Sequence, residues 1–207
     1  SIGSDWNYKY FFYPEIRPFI SEEEASSIEN FIKGRNENIF DIFDEVRRKG
    51  ENDSIISSFI RNDSVSELDI YLNKTNLSRS SHIHQSIFET NSFLKEKSPT
   101  LIEYAAFFGS IQIVKYLWLN HVDLSSSLWI YGIHSNNPEI IHFLEENLVE
   151  PPKENYQECL IQSIECHHNE ISEYICNQLL TSEKENKIDT YKNKIEKITN
   201  SFNYKEM

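Results

Sequence analysis

Between Cys159 and Cys176 the chain gathers Cys159, Cys166, His167, His168 and Cys176, the residue types that ligate zinc or act as an activated thiol. Cys159 and Cys166 lie seven residues apart, on one face of any helix that carries both. His167 and His168 follow at once and Cys176 comes on a paired helix, so a zinc site can be drawn. The spacing nevertheless lacks the Cys-x-x-Cys pair of a zinc knuckle. Three cysteines are also an odd set for a disulfide framework in a chain with no secretory signal. Packed thiols and turn histidines account for the same residues, because free cysteine behaves as a small buried hydrophobe. No metal ligand and no cofactor are assigned.

Other catalytic templates fail sooner. The chain has no Gly-rich phosphate loop, no Gly-x-Ser-x-Gly elbow and no His-Glu-x-x-His pair. The acids Glu145 and Glu146 read as a solvated helix end, and Glu22 to Glu24 as a capped helix start. The expectation is a protein with no catalytic residues.

Charge narrows the partners. The 33 acidic residues against 20 basic give −13 over 207 residues, whereas a phosphate backbone selects clustered Lys and Arg. Nucleic acid is excluded as an expectation. From Glu139 to Glu173 nine acids face Lys153 alone, a stretch able to steer a basic protein surface. No window has the run of apolar residues that a membrane span needs, and no membrane partner is expected. The expected location is cytoplasmic.

The elements that would position a binding surface read as helices. Ser21-Glu22-Glu23-Glu24 has the form of a capping box, opening a helix from Glu22 to Lys33 that Gly34 would stop in a left-handed conformation. A second helix runs from Glu37 to Lys49, with Ile39, Phe40, Phe43 and Val46 as its apolar stripe and Gly50 as its end. A short pair follows: Ser54 to Arg61, then a helix from the Ser64-Val65-Ser66-Glu67 box through Leu72. Ile83, Ile87, Phe88 and Leu94 fall at roughly helical spacing and predict a further helix over Ile83 to Lys97. At the N-terminus an aromatic run from Trp6 to Ile20, interrupted by Pro14 and Pro18, reads as an extended apolar strap over the first helix pair; a docking peptide is the sharper alternative.

From Thr100 the chain repeats itself. Thr100 can cap a helix, Ala105 and Ala106 let two helices approach, Gly109 supplies a left-handed turn, and Ile113, Val114 and Leu117 form the buried face of a second helix that Asn120 would close. A second copy aligns Ser127 with Thr100, Gly132 with Ala105, Asn136 with Gly109 and Ile140-Ile141 with Ile113-Val114. Its Asn137-Pro138-Glu139 is a helix start. A third copy puts Ser163 in the Ala105 place and His167 in the Gly109 place, and Ile55 to Leu72 reads as a degenerate copy ahead of them. A lone pair of this kind cannot bury its faces, so such units stack.

The segment 100–117 resembles the ankyrin repeat, with Leu101 where the family has Pro and Glu103 where it has His. The chain looks similar to the divergent ankyrin-repeat proteins of some protists that carry an associated domain of unknown function. The resemblance implies an all-α, ankyrin-like helix-turn-helix solenoid with an N-terminal helical cap and a C-terminal helix. Only His121 to Ser126 separates the first two copies, so a plain loop replaces the family's hairpin finger. The expected organisation is 1–97 for the aromatic segment and first helix pairs, 98–182 for the repeats and 183–207 for a terminal helix. In that helix Ile188, Tyr191, Ile195 and Ile198 cap the last repeat rather than dimerise.

The resemblance further implies a protein-interaction scaffold whose first helices line a concave face. Tyr104, Phe107 and Phe108, Tyr131, His134 and Ser135, and Gln162 and Glu165 would point there. Phe107 fits inter-repeat packing better. The expected partner-binding set is Tyr104, Phe108, Tyr131, His134 and Glu165, engaging another protein, one with a basic surface. The alternative is a fixed component of a larger cytoskeletal or filament assembly.

Overall fold

A computed structural model describes residues 5–34 and 38–180. Among these residues the fold is all helical, with no strand and a single isolated bridge between His82 and Thr100. The chain divides into two compact units, Ser1–Tyr104 and Ala105–Met207. The terminal helix expected over 183–207 lies outside the described residues.

In the first unit the aromatic segment is helical rather than extended. It forms α1 (Asp5–Phe11), α2 (Tyr13–Ile16) and a 3₁₀ turn over Arg17–Phe19. The prolines cause the breaks without preventing the helices: Pro14 and Pro18 each sit in a first turn, where a missing N–H costs nothing. Tyr10 and Tyr13 are buried in one cluster with Ala25, Ile28 and Ile32 of α3 (Glu22–Lys33) and Ile39 and Phe43 of α4 (Ile39–Lys49). The segment therefore does lie over the first helix pair, while Phe19 stays 87% exposed.

Ser21 caps α3 by accepting from Glu24 N at 3.2 Å, but the Glu24 carboxylate pairs with Lys9. Gly34 ends α3 in right-handed geometry, φ −59°, against the left-handed stop expected; Gly50 ends α4 at φ 65°, as its sequence position suggested. Next come α5 (Ile55–Arg61), capped by Ser54, and α6 (Val65–Thr75), where the Ser64 side chain makes no capping bond.

The helix expected over Ile83 to Lys97 does not form. Its apolar residues are nevertheless core: Ile83, Ile87, Phe88 and Leu94 are all at or below 6% exposure. Side chains capture the backbone donors that a helix would use internally. Ser86 Oγ accepts from Phe88 N, Glu89 Oε1 from Asn91 N, and Asn91 Oδ1 from both Phe93 N and Leu94 N. Ser and Asn offer the backbone such local alternatives to the helix, and here Ser86 and Asn91, with Glu89 between them, prevail. The segment is further pinned by Asn52 Nδ2 on His84 O at 2.7 Å and by Thr90 N on Gly50 O at 3.0 Å.

Beyond it run α7 (Leu101–Phe107), α8 (Ile111–Leu119), α9 (Leu128–His134), α10 (Pro138–Glu146), α11 (Gln157–Glu165) and α12 (Asn169–Tyr174), the last continued by a π-helical turn over Ile175–Leu179. The α7 start is a reciprocal capping box. Glu103 Oε2 accepts from Thr100 N at 2.8 Å, and Thr100 Oγ1 accepts from Glu103 N at 3.3 Å.

Candidate functional site

In the four pairs α5/α6, α7/α8, α9/α10 and α11/α12 the first helix ends in a left-handed turn. Asp63, Gly109, Asn136 and His167 all stand in left-handed backbone, at φ 50°, 70°, 52° and 59°. In three of the turns the next N–H reaches back five residues, Ser64 N to Phe59 O, Ser110 N to Ala105 O and His168 N to Ser163 O, satisfying carbonyls that the helix end leaves free. The alignment of Asn136 and His167 with Gly109 thus holds at the level of backbone geometry, and Asp63 extends it to α5 and α6. In the α9 turn Ser135 substitutes its side chain for that bond. Its Oγ donates to Gly132 O at 2.6 Å and accepts from Asn137 N at 3.1 Å. The second helices close in left-handed residues as well, at Asn76, His121 and Leu148. His121 takes this role in place of the expected Asn120, whose φ is −93°.

Asn137 links two turns. Its Oδ1 accepts from Glu139 N and so caps α10, while its Nδ2 donates to Gly109 O at 2.9 Å. That contact explains why glycine stands at 109 while three other turns tolerate a side chain: a Cβ on Gly109 would lie 3.2 Å from Asn137 Cβ. Gly132 answers a second close approach, since a Cβ there would lie 2.7 Å from Ile140 Cγ2.

In the second unit these turns carry a connected ridge. Phe108 meets Phe107 edge-on with centroids 5.1 Å apart, Phe107 lies 5.2 Å from the His134 ring, and His134 Nδ1 is 3.4 Å from Cys166 Sγ. Gln162 Nε2 approaches Cys166 Sγ at 3.7 Å and Glu165 Oε2 at 3.4 Å. Phe108 and His134 are half-buried and Glu165 is exposed. Three of the five expected partner-binding residues therefore fall on or beside one ridge.

The other two do not. Tyr104 is 1% exposed, and its Oη accepts from Arg61 Nη1 at 2.9 Å; burial pushes its hydroxyl pKa up. Tyr131 is 7% exposed. The expectation that both point outward is corrected. An aromatic side chain on a short helix gains more from burial than from solvent when a core position and a polar partner for the hydroxyl are both at hand. Phe107, at 8%, takes the packing role expected of it.

Among the described residues no three His, Cys, Asp or Glu side chains come together in a way that could hold a metal. Cys159 is fully buried, and burial holds its thiol at a pKa of about 12; Cys166 is raised for the same reason. A thiol so raised stays protonated, the reverse of an activated nucleophile. His167 holds a left-handed turn beside them. Sequence reasoning missed Leu148, 87% exposed and at φ 53°, a conformation bulky residues rarely adopt. Its one sequence signal is an apolar residue directly after Asn147, where a polar turn residue is the rule.

No helix among the described residues is long and apolar enough to cross a membrane. Comparison with protein-family models, curated proteins and solved structures finds no match to this chain.

Proposed function

We propose that this chain is a non-enzymatic protein-interaction scaffold built on ankyrin-like helix pairs, and that the ridge through Phe108, His134 and Glu165 receives its partner. The observation that carries this reading is the continuity of the ridge. Phe108, His134 and Cys166 come from three successive helix pairs, each one or two residues before the left-handed residue of its turn. Repeating one supersecondary unit presents the same position again and again, which is how arrays of helix pairs build extended binding surfaces. The Phe108 ring supplies contact area at small entropic cost. Glu165 and the acid-rich stretch around it favour a partner with a basic surface.

The test is affinity purification with the intact chain and with Phe108→Ala, His134→Ala and Glu165→Lys combined. Loss of a specific co-purifying protein, with helical circular dichroism unchanged, supports the reading. Recovery of the same protein in the same amount from both chains sinks it. Salt then addresses the alternative of a fixed assembly component. A partner steered by acidic charge leaves as ionic strength approaches ~1 M, where the screening length is about 3 Å, whereas a large apolar contact persists.

A further inference from the structure

Glu89 is buried to 7% exposure in the first unit, with one oxygen used and one not. Its Oε1 accepts from Asn91 N at 2.9 Å, while Oε2 is shielded from solvent and has no hydrogen-bond partner. The same residue lines a cavity of about 190 Å³ together with Tyr8, Phe11, Phe12 and Lys95, with Ile87 and Thr90 completing the wall. At about 30 Å³ for each water of liquid, that space admits a small organic head group. Its aromatic side is ordered: Tyr8 and Phe12 are near-parallel with centroids 6.4 Å apart, and Phe11 meets Phe12 edge-on at 5.0 Å.

The cavity's own lysine shows which charge this wall accepts. Lys95 Nζ stands 4.3 Å from the Tyr8 ring centroid, and no ion pair joins it to Glu89. Aromatic faces attract cations because their quadrupole is negative above the ring, most strongly where water is scarce. A buried carboxyl oxygen without a donor carries a desolvation penalty that a cationic N–H or an ammonium removes. Aromatic faces beside a buried acid with one oxygen lacking a hydrogen-bond donor are thus complementary to one ligand class.

We propose that this cavity is an alkylammonium site, taking a lysine-type or N-methylated amine carried by a partner chain, with the Tyr8, Phe11 and Phe12 rings as its walls and Glu89 as its counter-charge. Lys95 is the internal competitor, holding the Tyr8 face until a ligand displaces it. Burial raises the Glu89 pKa, the charge of Arg61 opposes that shift, and an incoming ammonium would favour the charged carboxylate further. The proposal uses the protein-binding reading only for the source of the amine. A small-molecule probe separates the two, since the ridge and this cavity belong to different units.

The experiment titrates the full chain with n-butylammonium and butyltrimethylammonium chlorides, following the aromatic resonances of Tyr8, Phe11 and Phe12 by NMR. Saturable shifts with either cation, and none with neutral n-pentanol, are expected. Lys95→Met should bind several-fold more tightly because the resident ammonium is gone. Glu89→Gln should bind about tenfold more weakly, the measure of one lost charge-assisted contact. Equal affinity of Glu89→Gln and the parent chain overturns the proposal, as does a preference for butyrate, which would make Lys95 the binding group. Should Glu89→Gln fail to fold, Tyr8→Leu serves in its place, and undiminished binding by that chain overturns the proposal equally. Absence of saturable shifts in both the parent and Lys95→Met is decisive against it.

Discussion

Segment 82–100 and the helix pairs over 101–174 start from similar sequence material and reach opposite solutions. Both place apolar residues three or four apart, and both bury them: Phe88 and Leu94 are as enclosed as Ile113 or Leu144. Only the second region is helical. The difference lies in the polar residues between. Ser86, Glu89 and Asn91 turn inward on their own backbone, whereas Thr100, Glu103 and Asn137 sit at helix ends, where the same type of bond caps a helix. Apolar spacing reports burial; the placement of capping residues decides whether a buried segment is also a helix.

The comparison breaks most clearly at Phe88. If the irregular segment is true core, Phe88→Ala should cost about 3–5 kcal/mol, as aromatic truncations in helical cores do. A loss under about 1 kcal/mol in denaturant titration would mean that the segment is merely draped on the helices.

Gly132→Ala probes the opposite region. Alanine raises helix propensity by about 1 kcal/mol, but its Cβ would press on the branched methyl of Ile140, and overpacking costs about 1–3 kcal/mol. Net destabilisation is expected in thermal melts, and a stabilised variant would show that α9 and α10 can move apart.

Asn91→Ala and Asn137→Ala sharpen the contrast, each removing two side-chain hydrogen bonds at about 1 kcal/mol in total. Helical circular dichroism should fall for Asn137→Ala and stay constant for Asn91→Ala, whose bonds hold no helix.

Glu89→Gln gives a pH-dependent effect. The folded pKa of Glu89 is raised, mainly by burial, so its neutral form favours folding: stability is fully present below the unfolded pKa and declines as pH rises through the folded value. Glutamine keeps an oxygen to accept from Asn91 N and never ionises. The variant should match the parent in acid and overtake it as pH rises toward neutrality, read as the difference in Tm. A constant difference across pH would remove Glu89 as the cause.

Much of the helical plan was legible in the residues. Ser54, Gly50 and Asn137-Pro138-Glu139 mark ends that the structure keeps, and Gly109, Asn136 and His167, which align in the sequence, share left-handed geometry. The binding set was less legible. Analogy between repeats points Tyr104 and Tyr131 outward, but whether a tyrosine faces solvent depends on what packs above it. For Tyr104 that includes Arg61, distant in sequence, whose guanidinium meets its hydroxyl.

By itself the sequence determined the helical class, the turn positions and the short spacing of the pairs, because capping, left-handed turns and apolar periodicity are local properties of a few consecutive residues. The tertiary structure alone decided that 82–100 is a buried non-helical segment, that Tyr104 is core, that Phe108, Phe107, His134 and Cys166 form one ridge, and that Glu89 lines a cavity together with aromatic residues. Each of those depends on residues remote in the chain competing for the same space or the same hydrogen bond, and no local pattern encodes the outcome.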